Sequence, residues 1–139
     1  MCLLVQKGTR NMGEAGIHLF IGFKGVNLKE ELQHLIKEYR PAGIVLFKRN
    51  IQGREQLKTL VADAQAFAME ELKHPVFFAI DQEGGSVQRL SPHFSSIPSA
   101  RSIAQQGREA VIHWAEVCAA DLREIGIQID FAPVLDIVA

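Results

Sequence analysis

The amino-acid sequence predicts an α/β domain built on a parallel sheet, and two patterns lead to this prediction. Short apolar runs that suit buried strands alternate with longer stretches in which apolar residues recur at helical spacing. The strand candidates are apolar on both faces, as strands are when helices cover a parallel sheet. The resulting order is β-α-β-α-β-α-β, with no linker or low-complexity segment, so a single domain is expected over residues 1–139.

The predicted elements can be placed along the chain. The four strand candidates are residues 17–23, 43–47, 76–80 and 127–135. The three helices between them are marked by apolar stripes over residues 28–39, 57–72 and 111–125. Asn27 is expected to cap the first helix, with Glu30 completing a capping box, and Gly126 is expected to end the third helix. Residues 84–102 are rich in Gly, Ser and Pro and are expected to form a loop.

This pattern leaves two architectures open, a doubly wound sheet and part of a (β/α)8 barrel. In both, functional residues collect at the carboxyl ends of the strands. A complete barrel needs about 250 residues. The four strand candidates therefore account for half of a barrel.

The composition argues against partners that are bound through clustered charge. Fifteen basic residues are balanced by sixteen acidic residues, and neither sign forms a long run. This near-neutrality disfavours nucleic acids and membrane surfaces as partners. A neutral small molecule such as a sugar is compatible with it.

Cysteine and histidine usage argues against a disulfide framework and against a metal site. Cys2 and Cys118 lie far apart and outside any CxxC pattern, and the five histidines lack ligand spacing. The N-terminus lacks the pattern of a signal peptide, and no apolar run reaches membrane-spanning length. A cytoplasmic protein is therefore expected.

The most informative motif is DQEGGSVQR (residues 81–89), which directly follows the third strand candidate. Asp81 stands where a parallel sheet exposes its functional edge. Gly84 and Gly85 allow a tight turn and the close approach of a ligand. Arg89 returns a cation with several N–H donors to the same place, so that the pair suits sugar hydroxyls. The alternative is an Asp81 that caps the turn and forms a salt bridge with Arg89.

Glu83 also has two interpretations. It could form a pair of glycosidase carboxylates with Asp81. The two glycines that follow it disfavour a continuous strand in which both side chains would point the same way. We therefore expect Glu83 to accept backbone N–H groups and to hold the loop.

A second motif, DFAPVLD (residues 130–136), lies on the last strand candidate. Pro133 cannot donate a hydrogen bond to a sheet, so regular pairing is expected to end near it. Asp136 then falls at or beyond the carboxyl end of the strand, either as a site residue or as a cap for the next element. Asp130 lies among apolar neighbours and needs a buried partner, which favours a structural role.

Two further features receive structural interpretations. Residues 48–50 (KRN) follow the second strand and could reach the same rim, but a solvated turn is favoured. Trp114 lies on the third helical stripe and is expected in the core.

Together these motifs resemble those of bacterial β-N-acetylhexosaminidases of glycoside hydrolase family 3. The likeness includes the two motifs in the right order. It extends to GIVLFKRN (residues 43–50), IPS (residues 97–99) and DLREIGI (residues 121–127). It covers nearly all of the chain beyond the first fifteen or so residues.

The resemblance implies a (β/α)8 barrel and a retaining mechanism on terminal β-linked N-acetylglucosamine, as in peptidoglycan recycling, with no metal or organic cofactor. Asp81 matches the family's aspartate that binds hydroxyls of the non-reducing sugar, and Arg89 matches the arginine beside it. Asp136 matches a position at the edge of the pocket. Glu83, Gly84 and Gly85 match the architecture of the family's loop and carry over only in that sense.

The resemblance also implies that this chain carries no catalytic residue. The family's Lys-His pair, its His-Asp acid/base and its aspartate nucleophile correspond to positions beyond Ala139. Retaining hydrolysis needs a nucleophile and a proton donor, so residues 1–139 alone are expected to be inactive. We interpret them as the N-terminal portion of the catalytic domain, a partial barrel with about four strands and three helices.

A partial barrel has a consequence for assembly. It exposes two strand edges and an apolar inner face. Self-association, or a completing polypeptide, is therefore expected.

Two other functions remain open on the sequence. One is a sugar-binding or interaction half-barrel that performs no catalysis. The other is a receiver-like doubly wound domain with Asp81 as the phosphoacceptor. The second is disfavoured, because receiver domains carry acidic residues after their first strand, and residues 23–25 here are Phe-Lys-Gly.

Overall fold

A parallel sheet lies at the centre of the computed structural model, which describes residues 13–135. The helices are α1 (Gly13–Gly16), α2 (Glu30–Tyr39), α3 (Arg54–Leu72), α4 (Ala100–Gln105) and α5 (Arg108–Ile125), with a 3-10 turn at Lys48–Asn50. The strands are β1 (Phe20–Ile21), β2 (Gly43–Leu46), β3 (Phe77–Ile80), β4 (Gln82–Gly84), β5 (Val87–Gln88) and β6 (Ile129–Asp130). No helix within the described residues is long and apolar enough to span a bilayer.

The order of the strands decides between the two predicted architectures. The sheet has the order β1-β2-β3-β6, and every neighbouring pair is parallel. The spatial order therefore follows the chain order, as in a barrel, whereas a doubly wound sheet reverses its order at a switch point. The partial (β/α)8 barrel is confirmed, and the receiver-like alternative is wrong.

The core lies between the sheet and the helices. Because alternate strand residues point to opposite faces, one set from each strand meets the helices. Ile44, Leu46, Phe78 and Ile80 form this set in β2 and β3, and all four are fully buried. They pack in one cluster with apolar residues of α2, α3 and α5, which include Leu32, Ile36, Leu57, Leu60, Ala64, Leu122 and Ile125. All three long helices therefore cover the same face of the sheet.

The other face of the sheet is concave and only partly covered. Phe20 of β1 and Phe77 of β3 are 39% and 53% exposed, and Phe131, just after β6, is 46% exposed. The rings of Phe20 and Phe131 meet edge to face with centroids 6.3 Å apart. These rings come from opposite edges of the sheet, which a flat sheet of four strands would separate by about 14 Å. The sheet is therefore curled in the sense that a barrel requires.

The two outer strands are shorter than predicted. The candidates at residues 17–23 and 127–135 become β1 and β6, with two residues each. Each has only one neighbour in the described structure, and several apolar residues beside them, such as Ile17 and Leu135, are exposed. Pairing on the last strand ends before Pro133, as predicted.

The predicted loop at residues 84–102 is wrong in part. It contains the second half of an antiparallel hairpin, β4 with β5, and the short helix α4. The hairpin has a register irregularity between Gln82 and Gly84, which masks the alternation that would have revealed it.

Of the two helix ends predicted from the sequence, the structure confirms one. Gly126 ends α5 with a φ of 90°, and its N–H bonds the carbonyls of Leu122 and Arg123, as expected for glycine in this position. The predicted capping box at Asn27 is wrong. The helix begins at Glu30, and Lys29 occupies the N-cap without a side-chain cap.

Asn50 corrects the prediction of a solvated turn at residues 48–50. Lys48 and Arg49 are exposed, but Asn50 is fully buried. Its Oδ1 accepts the N–H of Phe47 at 2.9 Å. Its Nδ2 donates to the carbonyls of Phe23 at 3.2 Å and Gly25 at 2.7 Å. Asn50 therefore joins the segments that leave the carboxyl ends of β1 and β2.

We predict that Asn50→Ala lowers the free energy of unfolding by about 2 kcal/mol, because the N–H of Phe47 and the carbonyl of Gly25 lose their side-chain partner, whereas the carbonyl of Phe23 keeps Arg49. Urea denaturation followed by circular dichroism would measure the loss. Lys48→Ala, in the same turn but exposed, should change stability by less than about 0.5 kcal/mol. Equal effects of the two substitutions would contradict the role given to Asn50.

Candidate functional site

Asp81 lies at the carboxyl end of β3 and faces the concave side of the sheet. In β3, Phe78 and Ile80 face the helices, so Phe77, Ala79 and then Asp81 alternate toward the inside. The carboxyl ends of the strands are where barrel enzymes place their active sites. The position predicted for Asp81 is therefore the one observed.

Arg89 meets Asp81 at this rim. The Arg89 Nη2 donates to Asp81 Oδ2 at 3.0 Å, and the two side chains are 31% and 25% exposed. An ion pair with this exposure contributes little to stability. It leaves the second carboxylate oxygen of Asp81 without a protein donor among the described residues. The salt bridge of the alternative interpretation is present, whereas no backbone N–H within residues 13–135 bonds Asp81 as a turn cap would require.

Gly84 and Gly85 make the turn of the hairpin. Their φ values are +85° and +60°, a region that side chains disfavour. A Cβ at Gly84 would overlap the carbonyl oxygen of Pro98, and a Cβ at Gly85 would lie 2.9 Å from Ser99. The Gly85 N–H also bonds the Ile97 carbonyl at 2.9 Å. The close approach that these glycines permit is therefore made by residues 97–99 of the same chain.

Glu83 departs from its predicted role. It lies in β4, partly buried, and accepts no backbone N–H from any described residue. It lines an apolar cavity beside α5, whereas Asp81 does not. The carboxylate of Asp81 is bonded to Arg89 instead.

Asp130 has hydrogen-bond partners inside the structure, as predicted from its apolar neighbours in the sequence. Its Oδ1 accepts the backbone N–H of Gln82 at 2.9 Å, and the Cys118 thiol donates to its Oδ2 at 3.6 Å. Burial raises the pKa of Asp130, although the bonds from Gln82 and Cys118 act in the opposite direction. Burial and the neighbouring Asp130 raise the pKa of Cys118 to about 12, so its thiol is protonated at neutral pH and serves as a donor.

An open cavity of about 560 Å³ lies behind the hairpin. Its walls come from α4, α5 and residues 132–135, and Gln82, Glu83 and Asp130 are its polar members. Trp114 lies on its wall and is only partly buried, so the prediction of a core position is wrong. Within residues 13–135, no group of three or more acidic, His or Cys side chains is placed to hold a metal ion.

The structure brings together two of the three predicted sugar-contacting residues. Asp81 and Arg89 are paired, and Asp136 lies outside the described residues. Gln82 was not singled out from the sequence. It follows an inward-facing residue, so strand alternation turns it toward the helices, and a polar side chain there must be bonded. The alternation pattern, with a polar residue at a position that faces the helices, could therefore have identified Gln82 from the sequence.

Comparisons with known proteins place this geometry in a family. Residues 9–139 match the family of the glycosyl hydrolase family 3 N-terminal domain. The chain belongs to this family. A family 3 β-N-acetylglucosaminidase from Paenibacillus sp. str. FPU-7 superposes with a TM-score of 0.86 at 32% identity, over 94% of this chain and 25% of that one.

Two further proteins are similar to this chain over most of its length. The β-hexosaminidase of Idiomarina loihiensis is 36% identical over 124 residues, which are 86% of this chain and 36% of the relative. NagZ from Neisseria gonorrhoeae, solved in complex with N-trifluoroacetyl-D-glucosamine, superposes with a TM-score of 0.72 at 35% identity, over 85% of this chain and 36% of that one. The chain thus spans about a third of the length of these relatives.

The hairpin turn leads to a prediction with a matched control. Gly84→Ala should lower the free energy of unfolding by about 3 kcal/mol or more, because a methyl group there displaces backbone and also occupies a strained φ. Gly107 has a similar φ of +92°, but a Cβ there meets nothing within 4 Å. Gly107→Ala should therefore cost only about 1–2 kcal/mol. Thermal denaturation would compare them, and equal losses would show that residues 97–99 do not pack against the turn.

Proposed function

We propose that residues 1–139 supply the sugar-binding edge of a β-N-acetylhexosaminidase, a glycosidase that hydrolyses terminal β-linked N-acetylglucosamine. The observation that carries this proposal is the Asp81–Arg89 pair, which stands on the concave face at the carboxyl end of β3. Barrel enzymes bind their substrates at this end. The family membership and the glycosidase relatives support the same assignment.

The chemistry of the pair fits a neutral saccharide. Sugar hydroxyls both donate and accept hydrogen bonds. The free oxygen of Asp81 would accept from hydroxyls of the non-reducing sugar, and the ion pair with Arg89 would hold that oxygen in place. Asp136 is proposed as a further contact at the pocket edge. The complex of NagZ with N-trifluoroacetyl-D-glucosamine supports a glucosamine derivative as the ligand class.

The proposal extends to the setting in which the reaction occurs. We place it in the cytoplasm, in the recycling of peptidoglycan, without a metal or organic cofactor. The pattern of cysteines, which suits a reduced compartment, and the similarity to bacterial β-hexosaminidases support this setting.

The nucleophile and the acid/base are proposed to come from the rest of an eight-stranded barrel, supplied by the same polypeptide or by another chain. The exposed apolar groups of the structure support this division of labour. Phe77 and Phe131 are about half exposed on the concave face, and Leu135 is 84% exposed beside the cavity. Apolar surface of this kind marks an interface, and four further strands would cover it.

We predict that residues 1–139 bind N-acetylglucosamine in a saturable way, and that Asp81→Asn weakens the binding at least about tenfold, because a charged acceptor is lost. Calorimetry or NMR titration would measure the dissociation constants. Asp63→Asn, an exposed acid on α3, is the control and should bind as the unaltered chain does. Equal affinities of all three proteins would contradict the assignment of Asp81.

A second experiment separates the glycosidase from a sugar-binding module without catalysis. Residues 1–139 alone should not turn over p-nitrophenyl N-acetyl-β-glucosaminide, and should self-associate in sedimentation velocity. A fusion to the part of the Idiomarina loihiensis enzyme that this chain does not span should be active and monomeric. Asp81→Asn should lower kcat/KM of that fusion. A folded, sugar-binding but inactive fusion would favour the module, and turnover by residues 1–139 alone would refute the division of labour.

A further inference from the structure

Two hydrogen bonds lie directly behind the Asp81–Arg89 pair. The N–H of Gln82, which belongs to the peptide group that follows Asp81, donates to Asp130 Oδ1 at 2.9 Å. The N–H of Leu90, in the peptide group that follows Arg89, donates to Gln82 Oε1 at 3.2 Å. Gln82 is 2% exposed and Leu90 is fully buried, so the bond between these two residues is shielded from water, whereas the bond to Asp130 is partly buried. The backbone at both members of the pair is therefore tied to β6 through Asp130 and Gln82.

The strand pairing explains why a side chain is needed at this point. β3 and β6 share only two register pairs, Ala79 with Ile129 and Ile80 with Asp130. N–H groups two residues apart on a strand face the same neighbour, so the N–H of Gln82 still points toward β6 after regular pairing has ended. The carboxylate of Asp130 supplies the acceptor that a longer strand would have supplied, and its charge strengthens the bond.

The carboxylate of Asp130 is itself held on its other side. The Cys118 thiol of α5 donates to its Oδ2 at 3.6 Å, so both oxygens have partners. Rotation of the carboxylate would break both contacts. The acceptor that faces Gln82 is therefore fixed by a helix as well as by a strand.

We propose that Asp130 is a positioning residue for sugar binding, which acts through Gln82 to fix the backbone beneath Asp81 and Arg89. This inference rests on the proposed function and adds a residue that does not touch the sugar. Asp130 faces away from the concave side. It is the register partner of Ile80, which faces the helices, whereas Asp81, the next residue after Ile80, faces the concave side. Its effect on a ligand is transmitted through the N–H groups of Gln82 and Leu90.

The same strand pair offers a matched control. Gln128, at the opposite end of the β3–β6 pairing, accepts the N–H of Phe78 with its side chain at 2.8 Å. Gln128→Ala removes a side-chain-to-backbone bond from the same pair of strands. It lies at the amino end of β3, away from Asp81, so it reports on stability without altering the rim.

The test compares Asp130→Ala, Asp130→Asn and Gln128→Ala in the 139-residue chain. Asp130→Ala should weaken N-acetylglucosamine binding about tenfold and speed amide hydrogen exchange at Gln82 and Leu90 by at least about tenfold. Asp130→Asn keeps an acceptor oxygen and should restore both values to within about threefold. Gln128→Ala should leave the affinity unchanged. Native affinity in Asp130→Ala, or equal losses in the Ala and Asn variants, would overturn the proposal.

Two further measurements keep the outcome interpretable. If Asp130→Ala does not fold, Asp130→Val replaces it, because valine removes the acceptor for the N–H of Gln82 while it fills similar space. A native affinity in that variant would overturn the proposal. If the unaltered chain binds no N-acetylglucosamine, the proposed function fails. Exchange at Gln82 and Leu90 still decides whether Asp130 orders the rim, since it is measured without sugar.

Discussion

The alternation of side chains along the central strands β2 and β3 is the constraint on which the rest of the structure depends. Ile44, Leu46, Phe78 and Ile80 are withdrawn from water against the helices, and their burial is the main favourable contribution to folding. A shift of one residue would turn all of them to the other face. The apolar requirement of one face therefore decides which residues line the concave face, and it places Asp81 there.

At the carboxyl ends of the strands, polar side chains form hydrogen bonds with backbone groups in the same way at two places. Asn50 bonds backbone groups that leave β1 and β2, and Asp130 bonds the backbone that leaves β3. In each place regular pairing has ended while the backbone is still buried, and buried N–H and carbonyl groups require partners. Side chains provide those partners. The rim is thereby ordered without longer strands.

The concave face is the side of the sheet on which apolar side chains remain partly exposed. The rings of Phe20 and Phe131 meet across the curled sheet, yet both stay partly exposed, as does Phe77. Apolar rings contribute most to stability when they are fully buried, so this face contributes less than the face that the helices cover. The outward face, by contrast, already has its helices. Within the described residues, the sheet is thus covered by helices on one face and open on the concave face, where Asp81 lies.

The sequence by itself determined the order of the four parallel strands and the three long helices, and the location of Asp81 and Arg89, because these follow from periodicity and from local motifs. The extent of β1 and β6 was decided by tertiary structure, since an edge strand has one neighbour and its length depends on what that neighbour offers. Tertiary structure likewise decided the hydrogen-bond partners of Asn50, Gln82 and Asp130. Their identities were readable, but each has at least one partner that lies 8 to 48 residues away, and only the folded chain brings such distant groups within hydrogen-bonding distance.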